Sequence, residues 1–158
     1  MLIISCALFI SKEAIKKFKL KEVIWAITKK NPFKKKSNSK LSIRIQHCKS
    51  IIGKISLIKV KFYEKKIGSN KTIDLINYLT KNKKAEFYFL MGADNLIDFH
   101  KWHRWKTISQ KCNIIVFDRH GYKKKSLNSK TFKSLNRKLI TFVDFNKVNI
   151  SSSQLRKI

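Results

Sequence analysis

The residues with the most specific chemistry lie in the run FYFLMGADNLIDFHKWHRW, residues 87–105. Phe87–Met91 is a short, apolar and aromatic-rich run that predicts a buried strand. Gly92 follows, where the backbone must turn tightly or approach a ligand closely. Asp94 or Asn95 is then expected to cap a helix. A strand that ends in Gly-x-Asp and opens a helix is typical of nucleotide sites at the carboxyl edge of a parallel sheet, because it presents backbone N–H groups and one carboxylate.

The elements around this run alternate between helices and strands. Apolar residues on one helical face predict helices over Ser11–Lys21, Leu41–Cys48, Thr72–Leu79 and a last short segment that begins at Ser151. Apolar or alternating runs predict strands over Val23–Thr28, Ile55–Lys61, Asn113–Phe117 and Leu139–Val143. Loops are expected at 31–40, 64–70 and 118–122, and residues 123–136 are poorly patterned. Strands that alternate with helices at this spacing predict an α/β fold with a doubly wound parallel sheet.

Length and cysteine content set the broad class. The 158 residues are enough for a conventional core, and we expect residues 1–158 to form a single domain. Cys6, Cys48 and Cys112 are odd in number and lack C-x-x-C spacing, which indicates neither a disulfide framework nor a four-thiolate zinc site. Leu2–Ile10 is too short to span a bilayer and lacks the features of a signal peptide. These observations favour a cytoplasmic protein with no membrane partner.

The net charge of +28, from 37 Lys and Arg residues against 9 acidic residues, is compatible with a nucleic-acid partner. Lysine greatly outnumbers arginine, however, and isoleucine and asparagine are abundant, as coding bias toward A- and T-rich codons would produce. We therefore interpret the charge first as a solvated lysine surface. The same field attracts phosphate-bearing small molecules, so the charge does not decide between a nucleotide enzyme and a nucleic-acid-binding protein.

Two segments resemble a known family. MGADNLIDFHKWHRW, residues 91–105, and ISSSQLR, residues 150–156, are similar to signature segments of the bacterial nicotinate-nucleotide adenylyltransferases. This family belongs to the nucleotidyltransferase group of Rossmann-like folds. Weaker similarities occur at Asn31-Pro32-Phe33-Lys34, Arg44, Thr72-Ile73-Asp74 and Asp118-Arg119-His120-Gly121-Tyr122, where His120 replaces a proline. The similar segments extend over roughly residues 11–158.

The resemblance implies an enzyme of NAD biosynthesis. Its members transfer the adenylyl group of ATP to nicotinate mononucleotide and release pyrophosphate, with magnesium assisting. The implied partners are therefore ATP and nicotinate mononucleotide, and the implied metal is Mg²⁺ bound with ATP. The binding residues that the resemblance implies are Gly92, Asp94, Trp102, Thr72, Ser151, Ser152 and Ser153, and the implied catalytic residue is Arg156.

The chemistry of most of these residues fits the reaction that the resemblance implies. Gly92 lets the backbone come close to the nucleotide, and the carboxylate of Asp94 can accept hydrogen bonds from a ribose or organise the metal-phosphate end. Trp102 offers an indole face to the pyridine ring. The serines at 151–153 supply hydroxyl and N–H donors to phosphate, and Arg156 balances the charge of the triphosphate in the transition state.

One family segment has no counterpart in these 158 residues. The family begins with a strand and G-G-[ST]-F-[DN]-P-x-H-x-G-H, whose histidines bind the phosphates, and the present similarity starts near Ile10. We therefore expect an N-terminally incomplete or degenerate chain in which Leu2–Ser5 partly fills the place of the first strand. Because each lost preorganised donor costs on the order of 10²–10³ in rate, little catalysis is expected without this segment. A nucleotide-binding remnant without activity is the first alternative, and a basic nucleic-acid-binding protein is the second.

Several residues also have structural interpretations that the sequence leaves open. Trp102 and Trp105 can be core or rim aromatics, Asp94 and the serines can be helix caps, and Thr72 with Asp74 is more typical of a helix cap than of a contact. Arg44 can orient a phosphate or be solvated, and His47 and Cys48 are interpreted as structural. A zinc site is disfavoured because its spacing suits no common module; its ligands would be His100, His103, Cys112 and His120.

Overall fold

A computed structural model describes residues 3–29, 40–82, 85–118 and 121–144. The described residues fall into two compact units, one that ends at Asn70 and one that begins at Lys71. The organisation of residues 1–158 as a single domain stays a prediction. Of the helices within the described ranges, none combines the length and the apolarity that a bilayer-crossing helix needs.

The first unit contains a two-stranded parallel sheet and three helices. The strands pair in register from Val23 with Ile58 to Ala26 with Lys61. A short helix occupies part of the segment at 64–70, so the prediction of a loop there was wrong. In chain order the elements are helix α1 (Ile3–Phe18), strand β1 (Val23–Ala26), helix α2 (Leu41–Ile52), strand β2 (Ile58–Lys61) and helix α3 (Glu64–Ile67).

Helix α1 begins eight residues before the predicted start at Ser11. Ala7, Ser11 and Ala14 are spaced for one helical face, and Ser11 and Ala14 are buried. The Ser11 hydroxyl donates to the carbonyl oxygen of Ala7 at 2.7 Å and accepts the indole N–H of Trp25 at 2.9 Å, which joins the helix to β1. The expectation that Leu2–Ser5 fills a strand position was therefore wrong, since residues 3–5 belong to this helix.

The second unit contains a three-stranded parallel sheet in the order β3-β4-β5. Its strands are Tyr88–Gly92 (β3), Asn113–Phe117 (β4) and Ile140–Val143 (β5). The segment at 123–136, which had no clear pattern, forms two short helices. The helices of this unit are Thr72–Asn82 (α4), Ala93–Asp98 (α5), Trp105–Lys111 (α6), Lys123–Leu127 (α7) and Lys130–Ser134 (α8), with one-turn 3₁₀ helices at Phe99–Lys101 and Arg137–Leu139.

The core of the second unit lies around its central strand, β4. Four successive residues of this strand, Ile114–Phe117, are buried, as expected for a strand covered on both faces. Helix residues Ile73, Leu96 and Ile108 complete the core. Every strand pair within the described ranges is parallel, as predicted, although the strands divide into two sheets.

Candidate active site

The junction between β3 and α5 is formed by Gly92, which is both the last residue of the strand and the N-cap of the helix. Its φ of −78° and ψ of 155° are extended values that any residue adopts. A tight turn therefore does not explain the glycine, and the close approach of a ligand expected from the sequence stays a prediction. The prediction that Asp94 or Asn95 caps the helix was wrong, because Gly92 occupies the N-cap without a side-chain hydrogen bond.

Asp94 is the second residue of α5 and lies in its first turn. A carboxylate at this position interacts favourably with the positive end of the helix dipole. The residue is half-buried, and its Oδ1 atom is inaccessible to solvent. The site thus holds a negative charge in a fixed place directly beyond the carboxyl end of β3.

Two further carboxylates follow the ends of the neighbouring strands. Gly92 pairs with Phe117 and Phe117 pairs with Val143, so Asp118 and Asp144 lie along the same sheet edge as the β3–α5 junction. The Oδ1 atom of Asp118 is buried and accepts no hydrogen bond from the residues that the structure describes. Asp118 was predicted to lie in an exit loop and in a segment similar to the family, without a site role, and Asp144 was missed, although each aspartate directly follows a predicted strand.

Lys123 links this edge to helix α7. Its Nζ forms an ion pair with Asp144 Oδ1. The hydrogen bond that Lys123 donates to Asp144 is the main reason that the pKa of Lys123 is raised above its usual value, with a smaller contribution from the charge of Asp118. Lys123 therefore stays cationic at neutral pH and places a positive charge at the exit of β4 and β5.

Trp102 directly follows the one-turn 3₁₀ helix and is half-buried. Its ring lies 5.9 Å from Phe89 at an angle of 78° and 5.4 Å from Phe99 at 66°, both edge-type contacts. Trp102 follows Gly92 in the chain by the length of α5 and the 3₁₀ turn, and its contact with Phe89 packs its ring against β3.

Phe99 is the residue that holds the aromatic cluster together. It is fully buried and contacts Phe89 at 6.3 Å in a stacked arrangement, as well as Trp102. Trp105 also contacts Phe99, at 6.0 Å and 74°. The structural interpretation of both tryptophans is therefore supported, since both rings pack on the core, and this packing also fixes the orientation of Trp102.

His100 has a structural environment. Its backbone N–H donates to Thr131 Oγ1 at 3.1 Å, and its Nδ1 lies 3.0 Å from the carbonyl oxygen of Ile97. Burial raises the pKa of the Cys112 thiol to about 11, so this thiol is neutral at physiological pH and a poor metal ligand. Within the described part of the chain, no three His, Cys, Asp or Glu residues form a group that could hold a metal ion.

Thr72 is the first residue of α4, and Asp74 lies in the first turn. The carbonyl oxygen of Lys71 accepts hydrogen bonds from the N–H groups of Asp74 and Leu75 at 3.1 and 3.3 Å. Lys71 therefore stands at the N-cap, and Thr72 does not cap the helix. The carboxylate of Asp74 has the favourable position relative to the helix dipole that the sequence predicts.

Arg44 anchors the segment that follows β1. Its Nη2 donates to the carbonyl oxygen of Thr28 at 2.5 Å, and its Nη1 donates to that of Lys29 at 3.2 Å. Glu64 Oε1 accepts the backbone N–H of Lys29 at 3.0 Å from the other side. Arg44 is thus not simply solvated; it fixes the backbone that leads into the basic segment at 31–40.

Replacing Arg44 by alanine is expected to lower the free energy of unfolding by about 1–2 kcal/mol, because two charge-assisted hydrogen bonds to backbone carbonyls are lost. Urea denaturation measures this loss. Lys49→Ala is the matched control, since Lys49 is an exposed residue of the same helix and its loss should change the free energy by less than about 0.5 kcal/mol. Equal effects of the two substitutions would contradict the anchoring role.

Several predicted site residues lie outside the described residues. These are the phosphate-binding serines Ser151, Ser152 and Ser153, the implied catalytic residue Arg156, the segment Asn31-Pro32-Phe33-Lys34, and Arg119 and His120 of the β4 exit loop. Of the predicted residues that are described, Gly92 and Asp94 adjoin one another at the sheet edge. Trp102 lies farther along the same chain segment, and Thr72 lies at the start of α4.

Comparison with known proteins identifies the class. The cytidylyltransferase-like family matches residues 8–158. A parallel α/β arrangement with a glycine-aspartate junction at the carboxyl edge of a strand is consistent with nucleotide binding in such a class. The chain belongs to the cytidylyltransferase-like family.

Individual relatives show which members of this family the chain is similar to. The chain is 64% identical over 149 residues to a probable nicotinate-nucleotide adenylyltransferase of Pelagibacter ubique, a match that covers 94% of this chain and 83% of the relative. It is 34% identical over 114 residues to the protein of the same name from Agrobacterium fabrum, covering 71% of this chain and 60% of that relative. The resemblance to the nicotinate-nucleotide adenylyltransferases is thereby confirmed.

A solved structure has the same fold. It is Plasmodium falciparum nicotinic acid mononucleotide adenylyltransferase complexed with NaAD, with a TM-score of 0.66 and 20% sequence identity. The match covers 94% of this chain and 76% of that chain. The predicted nucleotidyltransferase type of α/β fold is thereby confirmed.

Proposed function

We propose that this chain transfers the adenylyl group of ATP to nicotinate mononucleotide, which yields nicotinate adenine dinucleotide and pyrophosphate in NAD biosynthesis. The observation that carries the proposal is the segment at 91–105. It combines a glycine at the N-cap of α5, a first-turn carboxylate at Asp94 and a tryptophan, Trp102, held by aromatic contacts, in a chain whose relatives carry the same activity in their names.

The two substrates occupy different parts of this segment. The pyridine ring of the mononucleotide stacks on Trp102, whose angle is set by Phe89 and Phe99. ATP lies at the β3–α5 junction, with Asp94 accepting hydrogen bonds from ribose hydroxyls.

The reaction is an in-line displacement at phosphorus. A phosphate oxygen of nicotinate mononucleotide attacks the α-phosphorus of ATP, a new P–O bond forms, and the bond to pyrophosphate breaks with its electron pair on the leaving oxygen. The protein contributes position and charge, and no covalent enzyme intermediate forms. Ser151–Ser153 donate hydrogen bonds to phosphate oxygens, and Arg156 neutralises charge that grows on the leaving group. Thr72 contributes a further hydroxyl to nucleotide binding.

Nucleotidyltransferases usually use a divalent metal ion, and we propose Mg²⁺ here. Magnesium binds through one or two carboxylates together with substrate phosphates, and it needs no cage made of protein alone. The donors of the described sheet edge fit this pattern, since Asp94 and Asp118 are carboxylates with buried oxygen atoms. When bound with ATP, the ion would offset phosphate charge, and Asp118 would be its carboxylate, because Asp94 is assigned to the ribose.

The substrates indicate where in the cell the reaction takes place, but the charge of the chain leaves nucleic-acid binding as an alternative. ATP is a cytoplasmic metabolite, and we place the activity in the cytoplasm. A net charge of +28 draws anionic nucleotides toward the surface, but it would also draw nucleic acid. Binding experiments must therefore compare the two ligand classes directly.

Thermal unfolding with added ligand tests the proposal. Nicotinate mononucleotide and nicotinate adenine dinucleotide should each raise the midpoint temperature, by an increment that grows with concentration, because a ligand that binds only the folded state stabilises it. A duplex of random DNA sequence serves as the competing ligand. Stabilisation by DNA that disappears with added salt, together with no response to either pyridine nucleotide, would contradict adenylyl transfer and favour a nucleic-acid-binding protein.

A further inference from the structure

The turn between the 3₁₀ helix and α6 contains an unusual backbone conformation. The N–H of Trp105 donates to the carbonyl oxygen of Trp102 at 3.2 Å, so His103 and Arg104 are the central residues of a turn. Arg104 adopts φ 50° and ψ 40°, in the left-handed region. Turns that need a positive φ at their third residue favour glycine or asparagine there, and an arginine is strained.

A second residue shares this conformation and provides a comparison. Among the described residues, Lys19 is the other non-glycine residue with positive φ, also at 50°. It directly follows α1, where the N–H of Leu20 donates to the carbonyl oxygen of Ile15 at 3.2 Å. This is the ordinary left-handed ending of a helix, so local structure explains Lys19. Arg104 instead lies between two helical segments, two residues after Trp102.

The residue type at position 104 is also informative. Only five of the chain's 37 basic residues are arginine, namely Arg44, Arg104, Arg119, Arg137 and Arg156. A coding bias that favours lysine this strongly does not explain an arginine at a strained position. Four of the five lie in segments that resemble the adenylyltransferase motifs, with Arg137 as the exception.

The side chain of Arg104 is exposed and accessible to a ligand. It makes no hydrogen bond or ion pair with the part of the chain that the structure describes; the backbone carbonyl oxygen of Arg104 accepts a hydrogen bond from the N–H of Ile108, at 3.2 Å. A strained conformation that serves no internal contact of the side chain is typical of a functional site. A guanidinium binds planar or tetrahedral oxyanions through two parallel hydrogen bonds, which a lysine cannot do.

We propose that Arg104 binds an oxyanion of the pyridine nucleotide whose ring stacks on Trp102. The inference rests on the proposed function. The mononucleotide offers two oxyanions, the ring carboxylate and the phosphate, and the guanidinium chemistry suits both. Arg104 is therefore a substrate-binding residue, and its strained backbone is retained for the position of its side chain.

Three variants test this role by calorimetric titration with nicotinate mononucleotide and by thermal unfolding. Arg104→Gly should unfold at the same or a higher temperature, because the strain is relieved, and should bind at least tenfold more weakly. Arg104→Gln removes the charge but keeps the strained position, and the same loss of affinity is expected. Lys19→Gly relieves the equivalent strain elsewhere and should bind as the unmodified protein does.

Titration with nicotinamide mononucleotide distinguishes the two oxyanions, because this ligand has the phosphate but lacks the carboxylate. A loss confined to the nicotinate ligand assigns Arg104 to the carboxylate, whereas an equal loss for both ligands assigns it to the phosphate. Binding of Arg104→Gln with unchanged affinity would overturn the inference while the proposed function stands. No binding by the unmodified protein would overturn both, so the two failures are distinguishable.

Discussion

Replacing Trp102 by alanine should weaken the binding of nicotinate mononucleotide by roughly 5- to 150-fold, because stacking on an aromatic side chain contributes about 1–3 kcal/mol. The structure supports this effect because the indole ring of Trp102 is held in one orientation. Phe89 and Phe99 hold the indole at fixed angles of 78° and 66°, so the ring is prepared for a ligand before binding. Isothermal titration calorimetry measures the affinity directly.

Trp105→Ala is the matched control for this prediction. Trp105 is also a half-buried tryptophan of the same segment and also contacts Phe99, at 6.0 Å. Its loss should reduce stability by a similar amount while the affinity changes by less than about threefold, under 0.7 kcal/mol. Equal affinity losses in the two variants would show that the aromatic cluster acts only through stability, and the stacking role of Trp102 would be contradicted.

Replacing Phe99 by alanine is expected to lower the free energy of unfolding by about 3–5 kcal/mol. Phe99 is fully buried, and its removal leaves a cavity between β3 and two tryptophans that pack on the same ring. Because the free energy of unfolding of small domains is about 5–15 kcal/mol in total, the substitution would remove a large share of the stability. Urea denaturation followed by tryptophan fluorescence measures both the midpoint and the slope.

Phe99→Leu keeps most of the side-chain volume and separates cavity formation from the loss of aromatic contacts. We expect it to cost about half as much as the alanine variant, since hydrophobic replacements of similar size are better tolerated. The tryptophan signal should also change in Phe99→Leu, because Trp102 and Trp105 lose their edge contacts. A loss below about 1 kcal/mol for Phe99→Ala would contradict the central place given to this residue.

Sequence patterns correctly predicted strand β4 and the junction between β3 and α5, both of which depend on residues that are close in the chain. The strand at Asn113–Phe117 has the predicted bounds because its continuous β-branched run fits a position buried on both faces. The junction after Met91 also appears where the glycine indicated. Helix caps were predicted less well, since Asp94 and Thr72 each have a residue type that favours capping but lie inside the helix.

Long-range register explains what the sequence did not reveal. Asp144 and Lys123 are 21 residues apart and meet only because β5 pairs with β4. No sequence pattern predicts the contact between these two residues. The aspartates that directly follow two predicted strands did indicate that carboxylates gather at the sheet edge. Likewise, the residue type of Trp102 suggested stacking, but its contacts with Phe89 and Phe99 follow from the packing of α5 on the sheet. The roles of the residues at 151–156 stay predictions.

Pyrophosphate release from ATP, Mg²⁺ and nicotinate mononucleotide tests the central claim most directly. The assay should compare the chain as it stands with a form preceded by the family's first strand and H-x-G-H segment, because that segment supplies phosphate contacts that the 158 residues do not contain. We predict release that depends on nicotinate mononucleotide and is fastest in the extended form. Failure of both forms to release pyrophosphate would contradict the assignment of adenylyl transfer to this site.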